Sequence, residues 1–333
     1  MILNPAIIAL ITSSLLITAY AVYASTIGLQ IIRRWDIKSG SEGQLVLERK
    51  TYLISTLLAY MFGLSLFSLF LFIYTADHVH NLFVGAMCAA GSLNVNQYGY
   101  PALVMKIINF FLCGVWLIVN YTDNKGHDYP LIRVKYKLLM VITGLLALET
   151  FLVINYFMGL KPNVITSCCG TLFSTDADSI AGGIASLPSV PAKVLFYLSV
   201  VLVLRSGIHF LVTGRAAHVF SYFSTWLFVF SFVAVISFIS LYFYELPTHH
   251  CPFDLLQQEY NYIGYPLYLS LFAAGITGAG AGVIHRFKDA PSLKSTIPGL
   301  QKILCLFSMI GYVVFTLIAT YPMVFSDFIL EGY

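Results

Sequence analysis

Eight apolar stretches, each long enough to cross the roughly 30 Å hydrocarbon core of a bilayer at about 1.5 Å per helical residue, restrict this chain to one class of fold. They run near 2–31, 51–75, 101–121, 134–160, 192–214, 219–244, 266–284 and 299–325. Of 333 residues 59% are hydrophobic and 10% charged, too few charges to coat a water-soluble domain. Lipid offers no partner to an unpaired backbone group, so helices are the expected form. The sequence therefore predicts an all-α, polytopic membrane protein, one membrane domain over 1–333 with eight transmembrane helices in two related four-helix units.

Basic residues set the orientation. Arg33, Arg34, Lys38, Arg49 and Lys50 follow the first stretch, and Lys125, Arg133, Arg215, Arg286, Lys288 and Lys294 lie in the other connections on that side. An excess of Lys and Arg marks cytoplasmic loops, which places the chain in an inner (cytoplasmic) membrane with both termini outside. The first stretch is too long for a signal peptide and has no basic region before it, so it is expected to be a retained helix. A net charge of +3 is ordinary for such a protein and points to lipid rather than nucleic acid as the partner.

The chemically unusual residues gather on the opposite side. The loop between the second and third helices carries Asp77, His78, His80 and Cys88. The loop between the fourth and fifth carries Cys168 and Cys169, and that between the sixth and seventh carries His249, His250, Cys251 and Asp254. Two of these loops end alike, Asn-Gln-Tyr-Gly-Tyr-Pro at 96–101 and Asn-Tyr-Ile-Gly-Tyr-Pro at 261–266, each after a lone cysteine and before an apolar run. Gly suits a tight turn, Tyr an interface and Pro a first helical turn, so topology alone accounts for three residues. The shared Asn, the upstream Cys and the same helix polarity favour an internal parallel repeat, 51–121 with 219–284.

The second copy, Cys251 followed by Gly264-Tyr265-Pro266, resembles the loop of the vitamin K epoxide reductase family, in which a cysteine precedes a short helix and a Gly-x-Pro helix start. That resemblance implies a four-helix bundle with a shuttle-cysteine loop and a quinone beside it. It would group the second to fifth helices as one bundle, with Cys88 in the shuttle loop and Ser167-Cys168-Cys169-Gly170 in the outer loop before the fifth helix. The sixth to eighth helices, completed by the first, would form the other. No C-x-x-C is present: Asp254 stands where a cysteine three residues after Cys251 would be.

Three readings of the outer cluster follow. Because adjacent Cys168 and Cys169 close only a strained ring with one another, Cys88 and Cys251 can each pair with one of them as a structural staple, in a non-catalytic subunit of a larger complex. The same cysteines can exchange disulfides with a soluble extracytoplasmic thiol protein and pass electrons to a membrane quinone, with Cys88, Cys168, Cys169 and Cys251 catalytic. Alternatively His78, His80, His249, His250 and Cys251 converge on Cu or Zn in a binding or transport subunit. The redox reading is the one preferred.

Within the membrane, Glu149 on the fourth helix is expected to face Arg205 on the fifth, with His209 one turn beyond Arg205, either as a quinone-binding, proton-carrying group or as a neutralised pair that fixes helix register. On the seventh helix Ala274, Gly278 and Gly282 recur every four residues, a face on which another helix of this chain or a partner membrane subunit can pack closely.

Overall fold

The computed structural model describes residues 3–162, 164–166 and 180–330. Its principal helices are α1 (Pro5–Arg34), α2 (Glu42–His78), the short α3 (Ala89–Leu93), α4 (Gly99–Asp123), α5 (Ile132–Met158), the short α6 (Ile180–Ala185), α7 (Ser189–Thr213), α8 (Ala217–Tyr244), α9 (Gly264–His285) and α10 (Thr296–Phe325). Eight of these are long and apolar enough to span a membrane, and they coincide with the eight predicted stretches to within a few residues except at the start of α2. Among the described residues there is no strand, only an isolated bridge between Val84 and Ile165. The repeated Gly-Tyr-Pro marks a helix start in both copies, with Gly99 opening α4 and Gly264 opening α9.

The chain divides into two compact units. One comprises 1–75, 96–160 and 283–299, the other 76–95, 161–282 and 300–333. The first thus holds α1, α4, α5 and most of α2, and the second holds α7, α8 and most of α9 and α10. This grouping differs from the one the family resemblance implies, which left the first helix to complete the later bundle. The reason is chemical: α1 is committed to α5 through hydroxyl pairs, Thr18 with Thr150 at 2.7 Å and Ser25 with Thr143 at 2.8 Å. Gly28 adds a close approach, since a Cβ there would lie 2.8 Å from the Tyr136 ring. Small and hydroxyl-bearing residues let helices approach where lipid supplies no hydrophobic drive between them. The candidate repeats 51–121 and 219–284 each cover the second and third long helices of a successive set of four.

The interior of the first unit is organised by charge. On α4, Lys106, Asn109, Cys113, Trp116, Asn120 and Asp123 are all buried, and their spacing of three and four residues puts them on one helical stripe. Lys106 Nζ reaches Glu149 Oε1 on α5 at 2.8 Å and Ser68 Oγ on α2 at 2.7 Å, while Asn109 donates to Glu149 Oε2 at 2.7 Å. At the other end of the same helix pair, Lys135 Nζ lies 2.8 Å from Asp123 Oδ2 and donates to Asn120 at 3.2 Å. Asp123 also accepts the Leu131 amide at 2.9 Å, and the Trp116 indole donates to the Lys135 carbonyl at 3.1 Å. The partner expected for Glu149 is therefore corrected. Lys106 takes that place because it faces Glu149 on the adjacent antiparallel helix, whereas Arg205 belongs to the second unit.

In the second unit the small-residue face of α9 is filled from within the chain. Gly278 faces Ser224 of α8 and Ser308 of α10, Gly282 faces Ser221, and Gly275 lies against the Phe228 ring, each too close for a Cβ. Ser308 donates to the Ala274 carbonyl at 2.8 Å, and a Cβ on Gly311 would sit 2.9 Å from Ala274. Of the two occupants expected for the Ala274, Gly278 and Gly282 face, another helix of the chain or a partner subunit, the structure places the first there: α8 and α10 occupy it.

Removing one member of a buried ion pair strands the other charge, at a cost of about 3–5 kcal/mol, whereas apolar replacement of both is often close to neutral. Glu149→Gln should lower the thermal unfolding midpoint of detergent-solubilised protein sharply. The double variant Lys106→Met with Glu149→Gln should recover most of the loss. Equal losses in the single and double variants would show that the pair is not the organising contact described here.

Candidate functional site

Cys88 and Cys251 lie 163 residues apart in sequence, yet their Sγ atoms are 3.6 Å apart and both residues are fully buried. Two loops of the second unit bring them together. In the first, α2 ends at His78, a 3-10 turn follows over His80–Leu82, and Cys88 stands in extended conformation immediately before α3. In the second, α8 ends at Tyr244, and a 3-10 turn over Asp254–Leu256 follows Cys251.

Polar side chains with few alternatives tie the loops to each other. Asp77 Oδ1 accepts the Ala89 amide at 3.1 Å and Gln257 Nε2 at 3.0 Å, and the same Gln257 amide donates to the Met87 carbonyl at 3.0 Å. Gln257 thus clamps both flanks of Cys88. On the other side the Tyr244 hydroxyl donates to the Cys251 carbonyl at 2.5 Å and accepts the Leu255 amide at 3.1 Å, while Tyr268 donates to the Pro252 carbonyl at 2.6 Å. Gly264 is required here, because a Cβ would lie 2.9 Å from the backbone of Leu255.

The third member of the cluster is Asp254. Cys251 Sγ donates to its Oδ1 at 3.2 Å, a hydrogen bond from Cys88 also reaches the carboxylate, and His249 Nε2 lies 2.6 Å from Oδ2. Burial pushes the Asp254 pKa up, but the hydrogen bonds from His249, Cys88 and Cys251 outweigh it and hold the carboxyl below its ordinary value. The thiols are fully buried, whereas the Asp254 and His249 side chains are 12% and 25% exposed, so access to water increases outward along this row. The Cys88, Cys251 and Asp254 ligand atoms lie within 4.8 Å of one another, a group able to hold a metal ion.

The other predicted residues are placed as follows. Cys168 and Cys169, expected to pair with Cys88 and Cys251, lie outside the described residues. The nearest described position, Thr166, donates its hydroxyl to the Gly91 carbonyl in α3 at 3.0 Å, the helix that Cys88 precedes. His78 is the last residue of α2, and His80 Nδ1 bonds the Asp77 carbonyl. His250 Nδ1 bonds the Ile236 carbonyl at 2.8 Å, within the π-helical turn Val235–Ile239. Burial holds the His250 pKa below its ordinary value despite that bond, so the ring is a neutral donor that ties the loop to α8. Of the four histidines considered as ligands, His249 joins the thiol cluster through Asp254 rather than directly. Arg205 and His209 line one cavity of the second unit, and Glu149 belongs to the first.

Asp254 was legible as the residue in the position of a missing second cysteine, three after Cys251, but not as part of the site. The 3-10 turn at Asp254 puts its carboxylate, rather than a second thiol, against Cys251. A scan of family models finds no match to this chain, and neither curated proteins nor solved structures match it.

A folded-state carboxyl below its unfolded value contributes stability that is complete above the ordinary carboxylate range and is lost as pH falls through the lowered value. Acid titration of thermal stability should therefore show a loss in that range for the reduced protein, and Asp254→Asn should remove much of its pH dependence. An unchanged acid transition in Asp254→Asn would assign the stabilisation to other groups.

Proposed function

We propose that this membrane protein is a thiol-disulfide oxidoreductase whose redox pair is Cys88 and Cys251, with a membrane quinone as electron acceptor. The observation that carries this reading is the 3.6 Å approach of two buried thiols presented by two separate loops, with a carboxylate bonded to both. In the oxidative direction, Cys88 and Cys251 each lose one proton and together lose two electrons as the S–S bond forms. The quinone takes up two electrons and two protons to become a quinol. A soluble extracytoplasmic thiol protein, oxidised in exchange, returns the pair to the dithiol.

Attack requires a thiolate. Asp254 accepts the hydrogen bond from Cys251 and is in turn bonded to His249, the more exposed member of the row, so a proton leaving Cys251 has a path through Asp254 and His249 towards water. Full burial of both sulfurs protects the pair from unselective oxidants and demands that a thiol partner reach it through movement of the 76–95 or 245–263 loop. On the orientation expected from the basic loops, the site faces outside.

A second reading has its own support. Two thiolates on a tetrahedral zinc ion, each about 2.3 Å from the metal, stand roughly 3.8 Å apart, close to the separation here, and Asp254 supplies a third ligand. The set Cys88, Cys251 and Asp254 would then hold Zn or Cu, with His249 orienting the carboxylate from behind.

Disulfide mapping of non-reduced peptides, together with metal analysis of gently purified protein, separates the two. The redox reading expects a reversible Cys88–Cys251 bond, metal-free protein, and thiol-dependent quinone reduction that falls at least a hundredfold in Cys251→Ser. Stoichiometric metal lost in Cys251→Ser, with no quinone reduction in the wild type, would replace it by the metal reading. A bond from either cysteine to Cys168 or Cys169 that resists reduction would make the cluster a structural staple.

A further inference from the structure

Arg205 is a charged residue on the exposed side of a membrane-spanning helix. It shares a cavity of about 250 Å³ with Leu202, Ser206 and His209 of α7 and with Ala216, Val219 and Phe223 at the start of α8. Arg205 and His209 are both exposed, and no carboxylate is among the lining residues. The crevice lies just above the hairpin that joins the two helices, where Gly214 and Ala216 take left-handed conformations and Arg215 is exposed.

Depth decides what such a crevice can hold. The 25 residues of α7 make a helix about 37 Å long against a hydrocarbon core of about 30 Å. Eight residues separate Arg205 from the end of the helix at Thr213, so its Cα lies roughly 9 Å inside the hydrocarbon boundary on the side of Arg215. An arginine at that depth turns its guanidinium towards the headgroups while its methylenes stay in the apolar region. Ser206 is adjacent, its hydroxyl donating to the Val203 carbonyl at 3.0 Å, and His209 is one turn nearer the surface, so Arg205 and His209 of one face offer their donors towards the headgroup side. Leu202 and Phe223 line the apolar part, and the exposed Val201, Leu198 and Trp226 continue along the two helices towards the membrane centre.

We propose that this crevice binds the phosphate of an anionic phospholipid in the leaflet on the Arg215 side, with Arg205 as the principal charge, His209 as a further donor, and one acyl chain lying along Leu202 and Phe223. A guanidinium with no carboxylate among the residues lining its crevice favours a phosphodiester over the neutral carbonyl of a quinone, and a planar fork fits two phosphate oxygens at once. This is independent of the chemistry assigned to Cys88 and Cys251.

Trp226 serves as the reporter, since it is 46% exposed while Trp35 and Trp116 are buried. Full-length protein reconstituted in phosphatidylcholine vesicles is given a small fraction of brominated phosphatidylglycerol or brominated phosphatidylcholine, and quenching of tryptophan emission is compared. Wild type should prefer the brominated phosphatidylglycerol by roughly fivefold, the equivalent of about 1 kcal/mol for one basic side chain at an anionic surface. Arg205→Gln should abolish the preference, Arg205→Lys should keep most of it, and Leu202→Trp, read with its new indole as its own baseline, should remove it by filling the crevice. The proposal is overturned if wild type shows no preference, if Arg205→Gln retains it, or if a short-chain quinone displaces the brominated lipid at equal mole fraction.

Discussion

The hydrocarbon core solvates charge poorly, so a charged group deep within it is costly unless it finds a partner in the chain. The ion pair of Lys106 and Glu149 shows how far this requirement shapes the structure. Glu149 uses both oxygens, one on Lys106 and one on Asn109, and Lys106 recruits Ser68 from α2. Three helices are thereby fixed in register by one cluster. At the far end of the same pair of helices, Asp123 and Lys135 repeat the arrangement, and Asp123 also holds the turn into α5 through the Leu131 amide. Two ionic anchors on one α4 stripe leave little freedom for sliding. This is the sense in which buried charge specifies a fold even where its net contribution to stability is small.

Helix number and helix extent could be read from the sequence because they depend on apolar length. The Gly-Tyr-Pro repeats were readable for the same reason: a helix start is a local event. Glu149 was recognisable as a buried charge, but its partner was not assigned correctly. The third apolar stretch contains Lys106 and, three residues on, Asn109, which together announce a polar face opposite Glu149. Judging that stretch by its length hid the signal, and Arg205 was chosen instead for its depth. Depth alone cannot decide which helices are neighbours. That depends on packing, here on Thr18, Ser25 and Gly28 holding α1 against α5.

The approach of Cys88 to Cys251 is a property of tertiary structure that spacing could not supply. The strained ring that adjacent Cys168 and Cys169 would close directed Cys88 and Cys251 to them in the sequence, and those two residues lie outside the described ones. The reason Cys88 and Cys251 meet lies in residues of no conspicuous chemistry. Gln257 bridges Asp77 and the Met87 carbonyl, and Tyr244 pins Cys251 from behind.

The place of Asp254 gives the proposed chemistry a consequence of its own. In the reduced cluster its carboxylate receives hydrogen bonds from both thiols and from His249, and these hold it ionised despite burial. Formation of a Cys88–Cys251 bond removes both thiol protons and with them two of the three donors named here. The cost of burial is unchanged, so the carboxyl pKa must rise on oxidation, and the proton it then attracts comes by way of His249. Electron transfer at the sulfurs is thereby linked to proton binding at the carboxylate. Because that proton is bound in the oxidised state and released on reduction, net proton uptake falls below two between the two carboxyl pKa values, and there the pair becomes easier to reduce as pH falls by less than its own two protons would require. A metal held by the same three residues reverses this effect, since a cation bound to Asp254 drives its pKa down and makes metal retention, rather than reduction, the property lost in acid.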